Sequence, residues 1–300
     1  MDVTRRIKAV AVGAMLVVAA PVALAVADDG RGGNSWKDGS RGHSRGLDVR
    51  GVTDDGRLIK FASSKPGDAR TAGKISGLVT DTKLVGIDYR PATGADGDQG
   101  DLYGLSNAGG VYVVNAYNAK ASLVSRLDVA LAGTSFGVDF NPTVDRLRVI
   151  SDTGQNLRAN VDTGATLVDG PLTYPGPPVT SGTGVTGAAY TNNDADPNTA
   201  TTLFDIDSTL DQVAIQSPAN AGLLAATGKL GVDADATIGS DIYSTVRNGT
   251  TVDVEGFASL TAGDRSGFYS VQLLTGRATG VGHFHWKNQV TAIAIPLNQR

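Results

Sequence analysis

The chain of 300 residues contains no cysteine. That removes disulfides, thiolate metal sites, lipidated cysteines and thiol nucleophiles at one stroke. Histidine is nearly as scarce, with three in all, at His43, His283 and His285, and no histidine-plus-carboxylate set stands at a usable catalytic spacing. Positive charge is not in surplus either: 26 Lys and Arg face 30 Asp and Glu. The seven Phe and eight Tyr are spread singly, with no basic stripe between them, which excludes a nucleic-acid surface. After the first 27 residues no apolar stretch approaches the length of a bilayer span, so the mature chain is expected to carry none.

What is present begins with an export signature. Arg5, Arg6 and Lys8 precede the apolar run Ala9–Ala20, and the small residues Ala25 and Ala27 suit cleavage. Residues 1–27 are therefore expected to be a signal peptide, cut after Ala27 or Ala25, and the protein to be secreted or extracytoplasmic. Residues 28–46 are rich in Gly and alternating charge and too poor in apolar surface to offset their ordering entropy, so they are expected to form a disordered lead-in. Without disulfides, an exported domain over 47–300 needs a real apolar core, and its length suffices for one.

From Leu84 to Leu127 the chain reads as four short strands separated by Gly, Asn, Asp and Pro: LVGIDYRP, DLYGLS, VYVVNA and SLVSRL. No helical stripe interrupts them. The same pattern recurs. Its opening residue reappears as Gly86, Gly137, Gly187, Gly239 and Thr291, at spacings of 51, 50, 52 and 52 residues. Leu102-Tyr103 in the second strand corresponds to Leu203-Phe204 and to Glu255-Gly256. A turn recurs at Asn118–Ala121, Thr163–Thr166 and Thr275–Ala278. A four-stranded unit of about 51 residues is the signature of a propeller blade.

The first unit, in which Arg50–Gly56 matches Tyr103–Gly109, lacks its opening strand, and the segment Thr291–Pro296 supplies one. The sequence thus predicts an all-β fold: a five-bladed β-propeller of four-stranded meanders, closed by the C-terminal strand joining the N-terminal blade. A β-sandwich of many short strands and a six-bladed variant are the alternatives.

Residues Gly133–Gly164, GTSFGVDFNPTVDRLRVISDTGQNLRANVDTG, closely resemble a bacterial family known as domain-of-unknown-function family 4394. The resemblance extends upstream through LVGIDYRP…DLYGLS and downstream through VTGAAYTNND…TTLFDIDSTLD, covering roughly Leu47 to Leu297. It implies an exported, propeller-like domain and brings no assigned reaction and no assigned residues.

Two residues past each opening position stand Asp88, Asp139, Ala189, Asp241 and Ile293. Three carboxylates at equivalent places on channel-lining strands form a candidate Ca²⁺ ring, since that cation takes six to eight oxygen ligands. The other reading, favoured by the repetition itself, is that each Asp caps backbone N–H groups of the next blade. In the third unit, Asn141, Arg148, Asn156 and Arg158 crowd together with Asp145, Arg146, Asp152 and Gln155. The two arginines can clamp a carboxylate or phosphate while the asparagines read hydroxyls, or the cluster is a salt-bridged blade edge. Asp194, Asp196, Asn198 and Asp205 echo an EF-hand loop, but Thr199 stands where the turn needs Gly and the bidentate Glu is missing. His283 and His285 share a strand face with no third ligand in view. No catalytic residue is singled out.

The functional expectation is a secreted, monomeric propeller that binds a small ligand or an extracellular protein. The alternative is a metal-dependent hydrolase of the lactonase or esterase kind using the channel carboxylates. A structural component of the envelope or matrix is a third.

Overall fold

The computed structural model describes residues 46–94, 98–192, 194–196, 198–247, 250–285 and 289–299, all within the unit Gly42–Arg300. The expected signal peptide and nearly all of the lead-in lie outside the described residues.

Alternating apolar residues bounded by Gly, Asn and Asp produce short antiparallel strands throughout. Blade I contains β1 (Asp48–Thr53), β2 (Arg57–Ala62) and β3 (Lys65–Lys74). Blade II is β4 (Leu84–Arg90), β5 (Asp101–Ser106), β6 (Gly110–Val114) and β7 (Ala121–Arg126). Blade III is β8 (Phe136–Asn141), β9 (Arg146–Ser151), β10 (Asn156–Ala159) and β11 (Thr166–Val168), followed by a small ribbon, β12 (Thr173–Tyr174) and β13 (Thr180–Ser181). Blade IV is β14 (Val185–Tyr190), β15 (Leu203–Asp207), β16 (Gln212–Gln216) and β17 (Leu224–Lys229). Blade V is β18 (Gly239–Arg247), β19 (Thr250–Ala262), β20 (Arg265–Val271) and β21 (Ala278–His283). The last strand, β22 (Val290–Ala294), returns to pair with β1, so blade I has the order β22-β1-β2-β3. The protein is a five-bladed β-propeller of four-stranded meanders, closed by its C-terminal strand.

The inner strands β22, β4, β8, β14 and β18 contact one another in sequence around the channel. Each blade is apolar on both faces, and the buried side chains fall into five clusters, one per blade interface. Leu58, Tyr89 and Tyr112 lie between blades I and II, Val138, Phe140 and Leu157 between II and III, and Ile150, Tyr190 and Leu203 between III and IV. Phe204, Ile242 and Leu260 fill the IV–V interface, and Phe61, Phe257 and Phe268 that between V and I. Phe61 meets Phe268 edge-on at 5.1 Å between ring centroids.

Register corrects the sequence alignment at two places. Asp88 pairs with Tyr103 and Ala189 with Phe204, but Asp241 pairs with Phe257, so the matching dipeptide is Gly256-Phe257 and not Glu255-Gly256. The long β18–β19 hairpin absorbs the extra residue, with an irregularity at Thr245/Val246. In blade I, Arg50 pairs with Ala294. Ala292 and Ala294 therefore take the places that simple periodicity gave to Thr291 and Ile293.

The opening glycines allow adjacent inner strands to approach closely. A Cβ on Gly137 would stand 2.7 Å from the backbone N of Ala188, a contact that no side-chain rotation relieves. The recurrent turn on each blade packs against its predecessor in the same way: Gly164, at φ 81°, would bring a Cβ within 2.0 Å of the Arg126 carbonyl. Gly137→Ala is expected to destabilise the fold by about 1–3 kcal/mol through overpacking. Gly280→Ala, whose Cβ meets nothing nearer than 3.6 Å, should stay within about 0.5 kcal/mol of wild type. Paired urea titrations of the two variants decide this.

Candidate functional site

An innermost strand has a hydrogen-bonding neighbour on one side only, so its channel-facing amides need acceptors from elsewhere. The amides of Tyr89, Phe140, Tyr190, Ile242 and Ile295, one per blade, follow the five ring positions directly. Asp88 accepts from Tyr89 N and Phe140 N, both at 2.7 Å. Asp139 accepts from Tyr190 N at 3.0 Å. Asp241 accepts from Ile242 N at 2.6 Å and from Ile295 N at 2.5 Å. Each carboxylate thus reaches forward to the next blade. Where the preceding blade carries Ala (Ala294 before blade II, Ala189 before blade V), the Asp also serves its own blade. Three side chains satisfy five amides, using five of six carboxylate oxygens. The sixth, Asp139 Oδ2, accepts nothing from a described residue.

The three carboxylates are 8%, 4% and 4% exposed, and one oxygen of each lies within 4.8 Å of the others. Burial pushes the Asp88 carboxyl up to about 7, against the pull of its two amide donors. Burial also raises Asp139 well above the ordinary range, reinforced by the charges of Asp88 and Asp241. Asp241 is raised by burial and then by Asp88. Three bare charges at this separation repel strongly in a low-dielectric site, so the ring retains protons or holds a cation.

At the starting ends of the inner strands the channel opens into a cavity of about 210 Å³, lined by Thr53, Lys83, Thr134, Ser135, Thr237 and Gln289 among others. Below it, Gly86, Gly137, Gly239 and Ala292 border a throat of about 10 Å³, and the ring residues lie two positions further along each strand. Ser135 sits in Gly133-Thr134-Ser135-Phe136-Gly137, the letters of a nucleophile elbow. Here the segment enters β8 with no following helix, so the strained strand-to-helix turn that activates such a serine does not form.

In blade III the residues expected to clamp an external anion are engaged by the chain itself. Arg148 is 1% exposed. Its Nη1 donates to Asp169 Oδ2 and to Asn156 Oδ1, both at 2.7 Å, and its Nη2 to Asn220 Oδ1 at 2.8 Å. Arg158 completes the clamp, Nε to Asp169 Oδ2 at 2.6 Å. The anion these arginines hold is Asp169, and Asn156 also donates to the carbonyls of Gly170 and Ala219. Asn141 lies at the end of β8, where its Oδ1 accepts from Thr143 N. Arg90 makes a second internal clasp, to Asp145 and Asp162. Asp205, from the EF-hand-like stretch, is a fully buried residue of β15 with neither oxygen partnered, and burial pushes its carboxyl well up. Asp169 and Asn220 escaped the sequence because each lies outside the strand pattern, in a connection whose path only the fold defines.

A carboxyl whose folded pKa exceeds its unfolded value keeps a proton that the unfolded chain releases. Its contribution is complete below about pH 3.8 and is lost as pH rises through about 7, at about 1.4 kcal/mol per pH unit for each retained proton. Asp139→Asn preserves the acceptor for Tyr190 N and removes one charge, so its stability should fall less between pH 5 and 8 and exceed wild type at pH 8. Asp88→Asn and Asp241→Asn each lose one of two acceptors and should cost about 1–3 kcal/mol at pH 5. Equal destabilisation by all three in urea melts would contradict this division of labour.

Among solved structures, the chain is similar to a protein of unknown function from Bacteroides thetaiotaomicron, at 12% identity and a TM-score of 0.41, covering 79% of this chain and 58% of the other. It is also similar to YCF48 bound to D1 peptide, at 11% identity and a TM-score of 0.35, covering 78% and 77%. A protein from Lactobacillus plantarum matches at 12% identity and a TM-score of 0.37, covering 80% and 82%. No curated protein matches the sequence. Residues 57–294 match the domain of unknown function DUF4394, and the chain belongs to that family.

Proposed function

We propose that the protein is an exported binding propeller that takes a small polar ligand, or a polar group of an extracellular partner, at the mouth of its channel. The observation that carries this reading is the cavity of about 210 Å³. Lys83, Ser135, Thr237 and Gln289 line it beside Thr53 and Thr134, whose hydroxyls bond Asp55 and Asp152, so polar residues of four blades border one concavity, the kind of setting in which a few polar groups orient a ligand. Export rests on Arg5, Arg6, Lys8 and the apolar run Ala9–Ala20, followed by Ala25 and Ala27. Sequencing the N-terminus of protein recovered outside the cytoplasm should return a start at Asp28 or Val26.

A screen of sugars, polyols and amino acids by thermal shift tests the mouth. A ligand at a hundredfold excess over its Kd stabilises by about 2.7 kcal/mol. Thr237→Tyr, which fills the cavity from its rim, should abolish that shift while leaving the melt of the free protein close to wild type. A shift that survives Thr237→Tyr puts the ligand elsewhere.

The second reading is a divalent cation in the aspartate ring, supported by three carboxylates within 4.8 Å and by the oxygen of Asp139 that no amide uses. A throat of about 10 Å³ admits about one water molecule, so a cation there would brace the channel without reaching a substrate at the mouth. EDTA treatment followed by Ca²⁺ should raise Tm in wild type and not in Asp139→Asn if the ring binds it. An unchanged Tm leaves protons as the ring's neutralising charge.

A further inference from the structure

The ring-partner position on the second strand of each blade holds Arg50, Tyr103, Arg148, Phe204 and Phe257. Two blades therefore bury a guanidinium at the same place, each beside the tyrosine that follows the next blade's ring position: Arg148 beside Tyr190 and Arg50 beside Tyr89. Their partners differ. Arg148 is saturated by Asp169, Asn156 and Asn220. Arg50, only 6% exposed, makes no ion pair with a described residue. Among the described residues its Nε has no partner, and its one hydrogen bond is a long 3.4 Å contact from Nη1 to the Val49 carbonyl.

The cause is visible in the repeat. In blade III, Asn156 faces Asp169 across the sheet. In blade I the corresponding pair is Leu58 and Gly73, so two of the three groups that satisfy Arg148, its acid among them, have no counterpart. A buried cation with no counter-charge among the described residues is costly, and where blade III places Asp169 against its arginine, Arg50 borders a cavity of about 470 Å³, within the range of small-molecule sites. Tyr89, Tyr117, Asn115 and Lys120 also line it. Tyr117 is 76% exposed, a large aromatic at the rim. The one carboxylate in the lining, Asp101, is exposed and makes no ion pair with a described residue.

We propose that the cavity over Arg50 is a binding site for a small organic carboxylate, whose head group pairs with Arg50 as Asp169 pairs with Arg148. The body of the ligand rests against Tyr89 and Tyr117, and Lys120 adds a second positive charge. The propeller's own repetition supplies the chemistry: one blade carries its anion within the chain, the other takes it from solution. This site is separate from the channel mouth, and neither reading depends on the other.

Thermal melts with benzoate, acetate and succinate, against benzamide as the neutral counterpart of benzoate, test it. Wild type should show a saturable rise in Tm of about 2 °C or more with at least one carboxylate and none with benzamide. Arg50→Met keeps the length of the side chain and removes the charge. It should melt at or above wild type in the absence of ligand and lose the carboxylate shift. Lys120→Gln, an exposed change, should leave the free protein unaltered and raise the half-saturating carboxylate concentration severalfold. The proposal is overturned if no carboxylate gives a saturable shift, or if Arg50→Met keeps the wild-type shift. An equal response of both proteins to sulfate and to the carboxylates would mark a general salt effect and overturn it as well. Should Arg50→Met fail to fold, an unchanged half-saturation in Lys120→Gln overturns it.

Discussion

Five inward-facing amides with no strand to receive them are the constraint on which this propeller is built. A sheet closed in a ring of blades removes most free edges, but it leaves the innermost edge of every blade facing the channel. Three aspartates resolve the problem by accepting from five N–H groups, and in doing so they bridge neighbouring blades. The same residues that cap the edge also couple the blades to one another. Burying three carboxyls together is the cost, with the charges of Asp88 and Asp241 adding to it at Asp139 and that of Asp88 at Asp241, and raised carboxyl pKa values are its expression.

Around this polar centre, stability is distributed. The five apolar clusters are separate interfaces, so no single core dominates. Internal polar contacts reinforce two of the interfaces: Arg90 of blade II forms ion pairs with Asp145 and Asp162 of blade III, and Arg148 of blade III donates to Asn220, in the connection between β16 and β17 of blade IV. Polar groups are therefore spent chiefly on holding blades together, which makes the exceptions informative. The channel mouth, where Lys83, Ser135 and Thr237 stand, and the Arg50 guanidinium, which pairs with no carboxylate among the described residues, are where the chain has polar chemistry left over.

Much of the fold was legible because the strand pattern recurs with nearly constant length. Gly86, Gly137, Gly187 and Gly239 mark the inner strands correctly, and the missing opening strand of blade I pointed to the closure by β22. The alignment slipped by one residue where a hairpin or loop absorbed an insertion, at Phe257 and Ala294, since periodicity cannot see a bulge. Equivalent positions placed Asp88, Asp139 and Asp241 around one channel, but which amides each receives depends on Ala189 and Ala294, the positions without a carboxylate. The blade III cluster was legible as polar and not as self-satisfied, because Asp169 and Asn220 come from connections. Arg50 aligned with Tyr103 in the sequence, and its isolation emerged only when Gly73 was seen across from Leu58.

Closure by β22 also has a kinetic side. Blades II to V are local meanders, each assembled from consecutive strands, whereas blade I needs residues 239 positions apart, as between Thr291 and Val52. Bringing together the ends of so long a segment carries an entropic cost of about 5 kcal/mol from the logarithmic term alone, and contacts of such high sequence separation slow folding. The ring is therefore expected to close last, with the other blades already formed. By the same reasoning, the β22–β1 seam, made last and held by pairing between the two ends of the propeller chain, is expected to be the first to part, so its strength bears on how slowly the fold opens.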